Sequence, residues 1–262
     1  MNRASLLVLS GTLLFSGSAL ADDWSKTFQV SGHPHLRVNV NDGSVNVRTW
    51  DRKEIEARVT TVHWKIPSEV QVVEHQSGDQ VEVEVHMTHQ IFSLNFGQRS
   101  IQVELRVPRE LRSDIHTGDG NIIVQDLRGD TRLSTGDGRI EATALDGTLD
   151  AQTGDGRLII RGRFDMLHLH TGDGSIEAEI NNGSRVTSEW TVRTGDGHVT
   201  LRLPATLSAD LDVHTGDGHI ESDLPVTVSG SRNEHELRGK LNAGGPLVVV
   251  RTNDGSIRLE RM

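Results

Sequence analysis

Residues 135–138 read Thr135-Gly136-Asp137-Gly138, and this tetrapeptide decides the fold. An altered copy, Thr252-Asn253-Asp254-Gly255, follows later in the chain. The complete copies begin at Thr117, Thr135, Thr153, Thr171, Thr194 and Thr215. The first three intervals are 18 residues each, and the later ones are 23, 21 and 37 residues. Self-similarity at a fixed period is the signature of an architecture built from stacked units.

Apolar residues alternate with polar ones on both sides of each copy, as Ile115, Ile122 and Val124 do around Thr117. This period of two is typical of strands with one buried face. An 18-residue unit therefore reads as strand, turn, strand, turn. Units stacked about 4.8 Å apart would form parallel ladders around a narrow continuous core. The prediction is an all-β solenoid with coils of about 18 residues.

The chain divides into three predicted regions. Residues 1–21 have the pattern of a signal peptide, with a basic start, an apolar stretch and the small-x-small sequence Ala19-Leu20-Ala21. Residues 22–113 form a strand-rich region, with turns at 77–79 and near 95–97, that caps the solenoid. Residues 114–262 are the repeat solenoid. No later apolar run approaches the roughly 20 residues of a membrane helix, so we expect an exported protein, periplasmic, secreted or on the cell surface.

The composition excludes several classes of function. Lys and Arg number 27 against 37 Asp and Glu, and the resulting net charge of -10 does not suit a nucleic-acid partner. The chain has no Cys, which excludes disulfides, thiolate metal sites and Cys nucleophiles. Aromatic residues make up only 3%, which argues against a large aromatic-lined pocket.

Three stretches resemble a known family in the order in which they occur. The first is 41–47 with Trp50-Asp51-Arg52, and the second is 103–108 running into Thr117-Gly118-Asp119-Gly120. The third is 239–247 followed by 251–259. On these residues the chain resembles the bacterial putative-adhesin domain family with β-strand repeats, an exported family of undefined function that more often has Ser-Gly-Asp at its turns. The resemblance implies a right-handed, single-stranded β-helix-like fold and an adhesion-type role, and it transfers no catalytic residue.

The Asp of each repeat is the main candidate for a functional residue. Stacked carboxylates repel by about 1 kcal/mol per neighbour in water, and Ca²⁺, which takes about six to eight oxygen ligands, would relieve that repulsion. The interpretation we favour is that Asp-Gly forms tight turns requiring positive φ, with the carboxylate bonded to local N–H groups. The candidate calcium ligands are Asp119, Asp137, Asp155, Asp173, Asp196 and Asp217.

Thr and His residues near the repeat have structural interpretations as well as functional ones. The Thr side chains are expected to stack at one corner and to hydrogen-bond along the ladder, whereas an ice-binding array would need a flat exposed face. His198 and His219 follow consecutive copies at the same offset, so we expect them to be neighbours on adjacent coils. Two imidazoles there could share Zn²⁺, but no third ligand is specified, and surface histidines are the simpler interpretation.

A carbohydrate-active enzyme is the alternative from a different class, because polysaccharide lyases and hydrolases use parallel β-helices. It would need a non-repeating cluster of acids and a groove around Trp190, the aromatic candidate for a sugar platform. The acids recur in every coil instead, which is the pattern of a scaffold. Residues 229–245, in the longest interval, are either a binding loop or a divergent extra coil.

The sequence thus predicts an exported, non-catalytic, structural or adhesion-type solenoid without a cofactor. Its partner would be an envelope or extracellular protein or a glycan. The alternatives that stay open are a carbohydrate-active β-helix enzyme and a calcium-stabilised scaffold resembling the β-rolls.

Overall fold

A computed structural model describes residues 21–88 and 99–262, and every regular element within these ranges is a β-strand. No helix in this part of the chain could cross a membrane. The predicted signal peptide lies outside the described residues except for Ala21, and so does the predicted turn near 95–97. The first strands are β1 (Ala21–Gln29), β2 (His35–Val40), β3 (Ser44–Trp50), β4 (Glu54–Val62), β5 (Val70–Ser77), β6 (Gln80–Met87), β7 (Ser100–Pro108), β8 (Arg112–Thr117), β9 (Ile122–Gln125) and β10 (Arg128–Thr135). The others are β11 (Ile140–Thr153), β12 (Leu158–Thr171), β13 (Ile176–Ile180), β14 (Trp190–Thr194), β15 (Val199–Leu203), β16 (Ala209–Thr215), β17 (Ile220–Ser222), β18 (Val226–Arg232), β19 (Glu236–Leu241), β20 (Leu247–Thr252) and β21 (Ile257–Arg261).

The strands form two faces that meet at the Thr-Gly-Asp-Gly sequence, which we call the repeated corner. Face 1 contains the strands that end at this corner, and face 2 contains the strands that begin after it. Thr135 pairs in parallel with Thr117 on one side and with Thr153 on the other. On face 2, Ile140 pairs in the same way with Ile122 and Leu158. The predicted β-solenoid with an 18-residue coil is therefore confirmed.

The core lies between the two faces, and the predicted apolar columns supply it. Ile115, Leu133 and Ala151 are register neighbours on face 1, and all three are fully buried. Facing them, Ile140 and Leu158 are also fully buried. Because each strand buries alternate residues, the remaining side chains point outward and give both faces a polar surface.

The coils do not stack in sequence order at the end that contains β14–β21. β20 pairs with β14 on one side and with β16 on the other, and β21 lies between β15 and β17 in the same way. Residues 247–261 are therefore inserted between the coils formed by 190–203 and 209–222. The expectation that each copy stacks on the preceding one is wrong here, because the 37-residue interval returns the chain to an open slot.

A similar exchange occurs at the other end of the stack. β2 lies between β6 and β8, and β3 lies between β7 and β9. Val38 of β2 and Ile115 of β8 are paired and buried, so one core continues from the strand-rich region into the repeats. The division of the chain near residue 113 stays a prediction.

Antiparallel strands close both ends of the stack. β19 pairs antiparallel with β16, and β18 pairs antiparallel with β19. Residues 229–245 are thus neither a binding loop nor a divergent parallel coil, since most of them belong to this hairpin. At the opposite end, β4 pairs antiparallel with β7, and β1 pairs antiparallel with β4.

Candidate functional site

The Thr of the repeated corner is a buried structural residue. Thr171 is fully buried, and its Oγ1 donates to Gly156 O at 2.9 Å and to Gly154 O at 3.1 Å in the neighbouring coil. All seven Thr are at most 5% exposed. The predicted stacking and hydrogen bonding are confirmed, with backbone carbonyls as the acceptors. Burial excludes an ice-binding array, because such an array must present its Thr side chains to solvent.

The glycines of the corner are required by close approach of neighbouring coils. A Cβ on Gly156 would lie 1.9 Å from Gly138 O, and one on Gly154 would lie 2.7 Å from Gly136 O. Neither residue adopts a positive φ, unlike Gly129 in the opposite corner at +122°. The prediction that Asp-Gly needs positive φ in this turn is therefore wrong. Glycine is present because two backbones nearly touch.

The Asp of the corner forms a line of exposed carboxylates, which we call the Asp ridge. Register places its members about 4.8 Å apart along the stack, and the altered copy contributes Asp254 between the last two complete copies. The coil of β2 and β3 contributes Asp42 at the other end. In stacking order the ridge consists of Asp42, Asp119, Asp137, Asp155, Asp173, Asp196, Asp254 and Asp217.

The scaffold does not account for the Asp ridge. Within residues 21–88 and 99–262 none of the six predicted ligand carboxylates accepts a hydrogen bond, so the expected bonding to local N–H groups is wrong. No group of three or more His, Asp or Glu side chains in these ranges is arranged to hold a metal ion. Each carboxylate instead lies over the first Gly of the next coil, as Asp155 Oδ1 does 3.4 Å from the Cβ position of Gly172. The carboxylates therefore repel one another along an exposed line.

Face 1 carries a ladder of opposite charges that sequence reasoning missed. Arg37, Asp114, Arg132 and Asp150 follow one another in register across adjacent coils. Arg132 Nε lies 3.4 Å from Asp150 Oδ2, and Arg37 Nε lies 3.9 Å from Asp114 Oδ2. The signal was present in the sequence, because Arg132 and Asp150 are one coil period, 18 residues, apart.

Face 2 carries a tighter arrangement around Arg202. Its Nη1 donates to Glu177 Oε1 at 2.7 Å, and its Nε donates to Glu260 Oε2 at 2.7 Å. The hydrogen bond from Arg202 holds the pKa of Glu177 below its ordinary value, although partial burial opposes this. Glu260 belongs to the inserted coil, so this cluster also joins segments far apart in the sequence.

A Ser-His-Glu cluster lies on face 2 where the coil order is broken. Ser256 lies between His198 and His219, so the expectation that the two histidines are direct neighbours is wrong. Ser256 N–H donates to His198 Nδ1 at 3.1 Å, and Ser256 Oγ lies 3.0 Å from His219 Nδ1. His219 Nε2 lies 3.1 Å from Glu221 Oε1, and Arg258 Nε donates to Glu221 Oε2 at 2.9 Å. These residues line a cleft of 370 Å³.

The geometry of this cluster does not support nucleophilic catalysis. A triad needs its carboxylate to orient the His and nearby N–H groups to stabilise an oxyanion. Here Arg258 binds Glu221 and, with a smaller effect of His219, lowers the pKa of that carboxyl. The N–H of Ser256 is already donated to His198. The side chains of His219 and Glu221 are 59% and 52% exposed, so water is not excluded.

Trp190 does not form a sugar platform. It is fully buried, and its Nε1 donates to Asp165 O at 3.1 Å. The ring therefore belongs to the core beneath the longer fourth unit, and the groove expected around it for a carbohydrate-active enzyme is absent from the described residues.

A family model described as Toastrack DUF4097 matches residues 110–260, more than half of the chain. Among solved structures, a putative adhesin from Parabacteroides merdae ATCC 43184 is 10% identical, with 90% of this chain and 95% of that chain covered and a TM-score of 0.46. A putative adhesin from Bacteroides fragilis NCTC 9343 is 10% identical, with 92% and 97% covered and a TM-score of 0.42. A putative lipid binding protein from Parabacteroides distasonis ATCC 8503 is 12% identical, with 91% and 96% covered and a TM-score of 0.47. No curated protein matches the chain.

Proposed function

The chain belongs to the Toastrack DUF4097 family, and on that premise we propose that it is an exported, non-catalytic binding module. Its partner is a protein or a glycan at the cell envelope or outside the cell. The observation that carries this proposal is the outward-facing surface, in which polar side chains repeat in register from coil to coil. A surface of this kind suits an extended partner contacted at many equivalent points.

The division of labour within the repeated corner supports the same proposal. Thr171 and its equivalents hold neighbouring coils together, and Gly156 and its equivalents let the backbones approach. Asp155 and its equivalents serve neither purpose, and their mutual repulsion weakens the stack. A residue that recurs although the scaffold does not need it is more simply explained by a role at the surface.

The absence of catalysis is proposed on the geometry of the two candidates for an enzyme site. Trp190 is buried, and Ser256 lies in an exposed cluster with its N–H group occupied. Incubation of the purified protein with bacterial and plant polysaccharides, followed by measurement of new reducing ends and unsaturated products, tests this point. Any product formed above the level of a heat-inactivated sample contradicts it.

Binding is tested with purified residues 22–262 and isolated bacterial envelopes in a sedimentation assay. Three surface variants separate the surfaces: Asp155→Asn on the ridge, the exchange Arg132→Asp with Asp150→Arg on face 1, and Arg202→Gln on face 2. We expect saturable binding that one variant weakens while its melting temperature stays within a few degrees of the wild type. Absence of saturable binding to envelopes, or binding that all three variants retain in full, contradicts the proposal.

Export is tested separately by expressing the full chain in a bacterium and fractionating the cells. Cleavage after Ala21 gives a mature protein that begins with Asp22, which N-terminal mass spectrometry identifies directly. A cytoplasmic protein that retains residues 1–21 contradicts the export part of the proposal.

A further inference from the structure

The two faces end at different levels of the stack. Beyond β16, face 1 continues with two more strands, β19 and then β18. Beyond β21, face 2 ends with β17, which pairs with no other described strand. One face therefore extends past the other by two strands, and a gap two strands wide is left beside the free edge of β17.

The overhanging hairpin exposes its inward-facing apolar side chains at this gap. Val226 and Val228 of β18 pair with Leu241 and Gly239 of β19, whose inward side is buried. Val226 is only half-buried and Val228 is 41% exposed, because no face 2 strand lies opposite them. Such partly uncovered core positions at a sheet edge are typical of interaction sites.

The free edge of β17 can accept another strand. Its inner pairing is satisfied by β21, as in the bond from Ile257 N to His219 O at 3.0 Å. On the outer side, Ile220 N donates to Glu234 O at 2.9 Å from the tip of the hairpin. Because the N–H and C=O groups of alternate residues point to the same side of a strand, Ile220 C=O and both backbone groups of Ser222 point into the gap.

We propose that a second copy of this chain fills the gap, so that two molecules join end to end through their β17–β19 regions. A two-strand overhang on one face and a two-strand gap on the other are self-complementary about a two-fold axis that runs along the strand direction. The hairpin of each molecule then lies in the gap of its partner, and β18 of one molecule pairs antiparallel with β17 of the other. Both faces continue across the junction without a missing strand.

The lengths and side-chain orientations of the two edges agree with this pairing. The regular part of β18, residues 226–228, is as long as β17, because the register of β18 is interrupted between Val228 and Arg232. Antiparallel pairing of Ser222 with Val226 and of Ile220 with Val228 places all four side chains on the inner side. Glu221 and Thr227 then lie opposite each other on the outer side.

The proposed contact closes on itself. A two-fold interface uses the same surface on both molecules, so the product is a dimer and not a filament. The contact is limited to two short ladders and the apolar side chains between them, which places it among small interfaces. We therefore expect a dissociation constant of about 1–100 µM.

The test is the molar mass of residues 22–262, measured by light scattering and sedimentation over about 1 µM to about 1 mM. We expect wild-type protein to pass from monomer to dimer, and Val228→Glu to stay monomeric over the whole range. The matched control is Val73→Glu on β5 near the opposite end, because Val73 is 43% exposed and gains the same charge. Monomeric wild-type protein, a Val228→Glu dimer or a Val73→Glu protein that no longer dimerises overturns the proposal.

Disulfide trapping tests the register directly, since the chain has no Cys of its own. An equimolar mixture of Glu221→Cys and Thr227→Cys proteins is expected to form a crosslinked heterodimer under mild oxidation, because paired strands bring the two positions within disulfide range. A mixture of Val73→Cys and Thr227→Cys proteins is expected to stay uncrosslinked. Equal crosslinking in both mixtures overturns the register and the proposal with it.

Discussion

Gly156→Ala tests whether close backbone approach fixes the second glycine of the repeated corner. The added Cβ would lie 1.9 Å from Gly138 O and 2.7 Å from Thr153 Oγ1, whereas favourable non-bonded contacts are about 3.5–4.0 Å long. The two coils would have to separate locally by more than about 1 Å. Two hydrogen bonds worth about 1 kcal/mol each would be lost, and overpacking adds about 1–3 kcal/mol. We expect the free energy of unfolding to fall by about 3–5 kcal/mol.

The control for this prediction is Gly78→Ala. Gly78 has φ +60°, and a Cβ there meets nothing within 4 Å, so only the left-handed backbone opposes the change. That cost is about 1–2 kcal/mol. Thermal unfolding followed by far-UV circular dichroism should lower the melting temperature of Gly156→Ala by about 6–20 °C, at about 2–4 °C per kcal/mol. Equal losses for the two variants would refute the argument from close approach.

Three further predictions concern the corner, the ridge and face 2. Thr171→Val keeps the shape of a fully buried side chain but leaves Gly156 O without its donor, so urea unfolding should show a loss of about 1–3 kcal/mol. An unchanged midpoint would contradict a structural role for this column. Asp155→Asn should raise the melting temperature at low ionic strength, and the gain should shrink in about 1 M salt because exposed charges are then screened. A gain that is independent of salt would contradict repulsion along the ridge. Because the pKa of Glu177 is lowered in the folded protein, its stabilising effect is present above the unfolded pKa near about 4.3 and is lost as the pH falls through the lower, folded value. Arg202→Met should flatten the stability profile in that acidic range, and an unaltered profile would count against this ion pair.

The repeat unit was predictable because local pattern alone determines it. Alternation around Thr117 specifies which side chains of each strand face the core, and the 18-residue spacing specifies the coil. Both are properties of short stretches, and burial of the apolar positions follows without knowledge of distant contacts. The ion pair between Arg132 and Asp150 was predictable for the same reason, once opposite charges are compared at one coil period.

The role of the glycines was not predictable from a single copy. Turn statistics associate Asp-Gly with positive φ, but Gly156 is constrained by the carbonyl of Gly138 in another coil. Such a constraint exists only after the coils have stacked. The unpaired state of the ridge carboxylates has the same origin, because the N–H groups expected to bind them serve the ladder between coils.

The order of the coils was unpredictable in a different way. The copies at Thr194, Thr215 and Thr252 are nearly equivalent as sequences, so local pattern does not say which two are adjacent. The hairpin β18–β19 decides it by occupying the outer side of β16 and leaving the inner slot for β20. Ser256 therefore meets both His198 and His219, a cluster that no comparison of consecutive repeats would have revealed.

The inserted coil changes how such a stack can assemble. A solenoid ordinarily grows by adding each unit to the one just completed, as Thr153 pairs with Thr135 only 18 residues before it. Arg251, in contrast, pairs with Arg193, which lies 58 residues earlier, and closing that longer loop costs about 1 kcal/mol more in chain entropy. The coil of residues 209–222 has no finished neighbour to rest on until residues 247–261 have arrived. Completion of this end is thus a single concerted event, and a chain that emerges residue by residue from an export channel could not lock it before residue 261 is free.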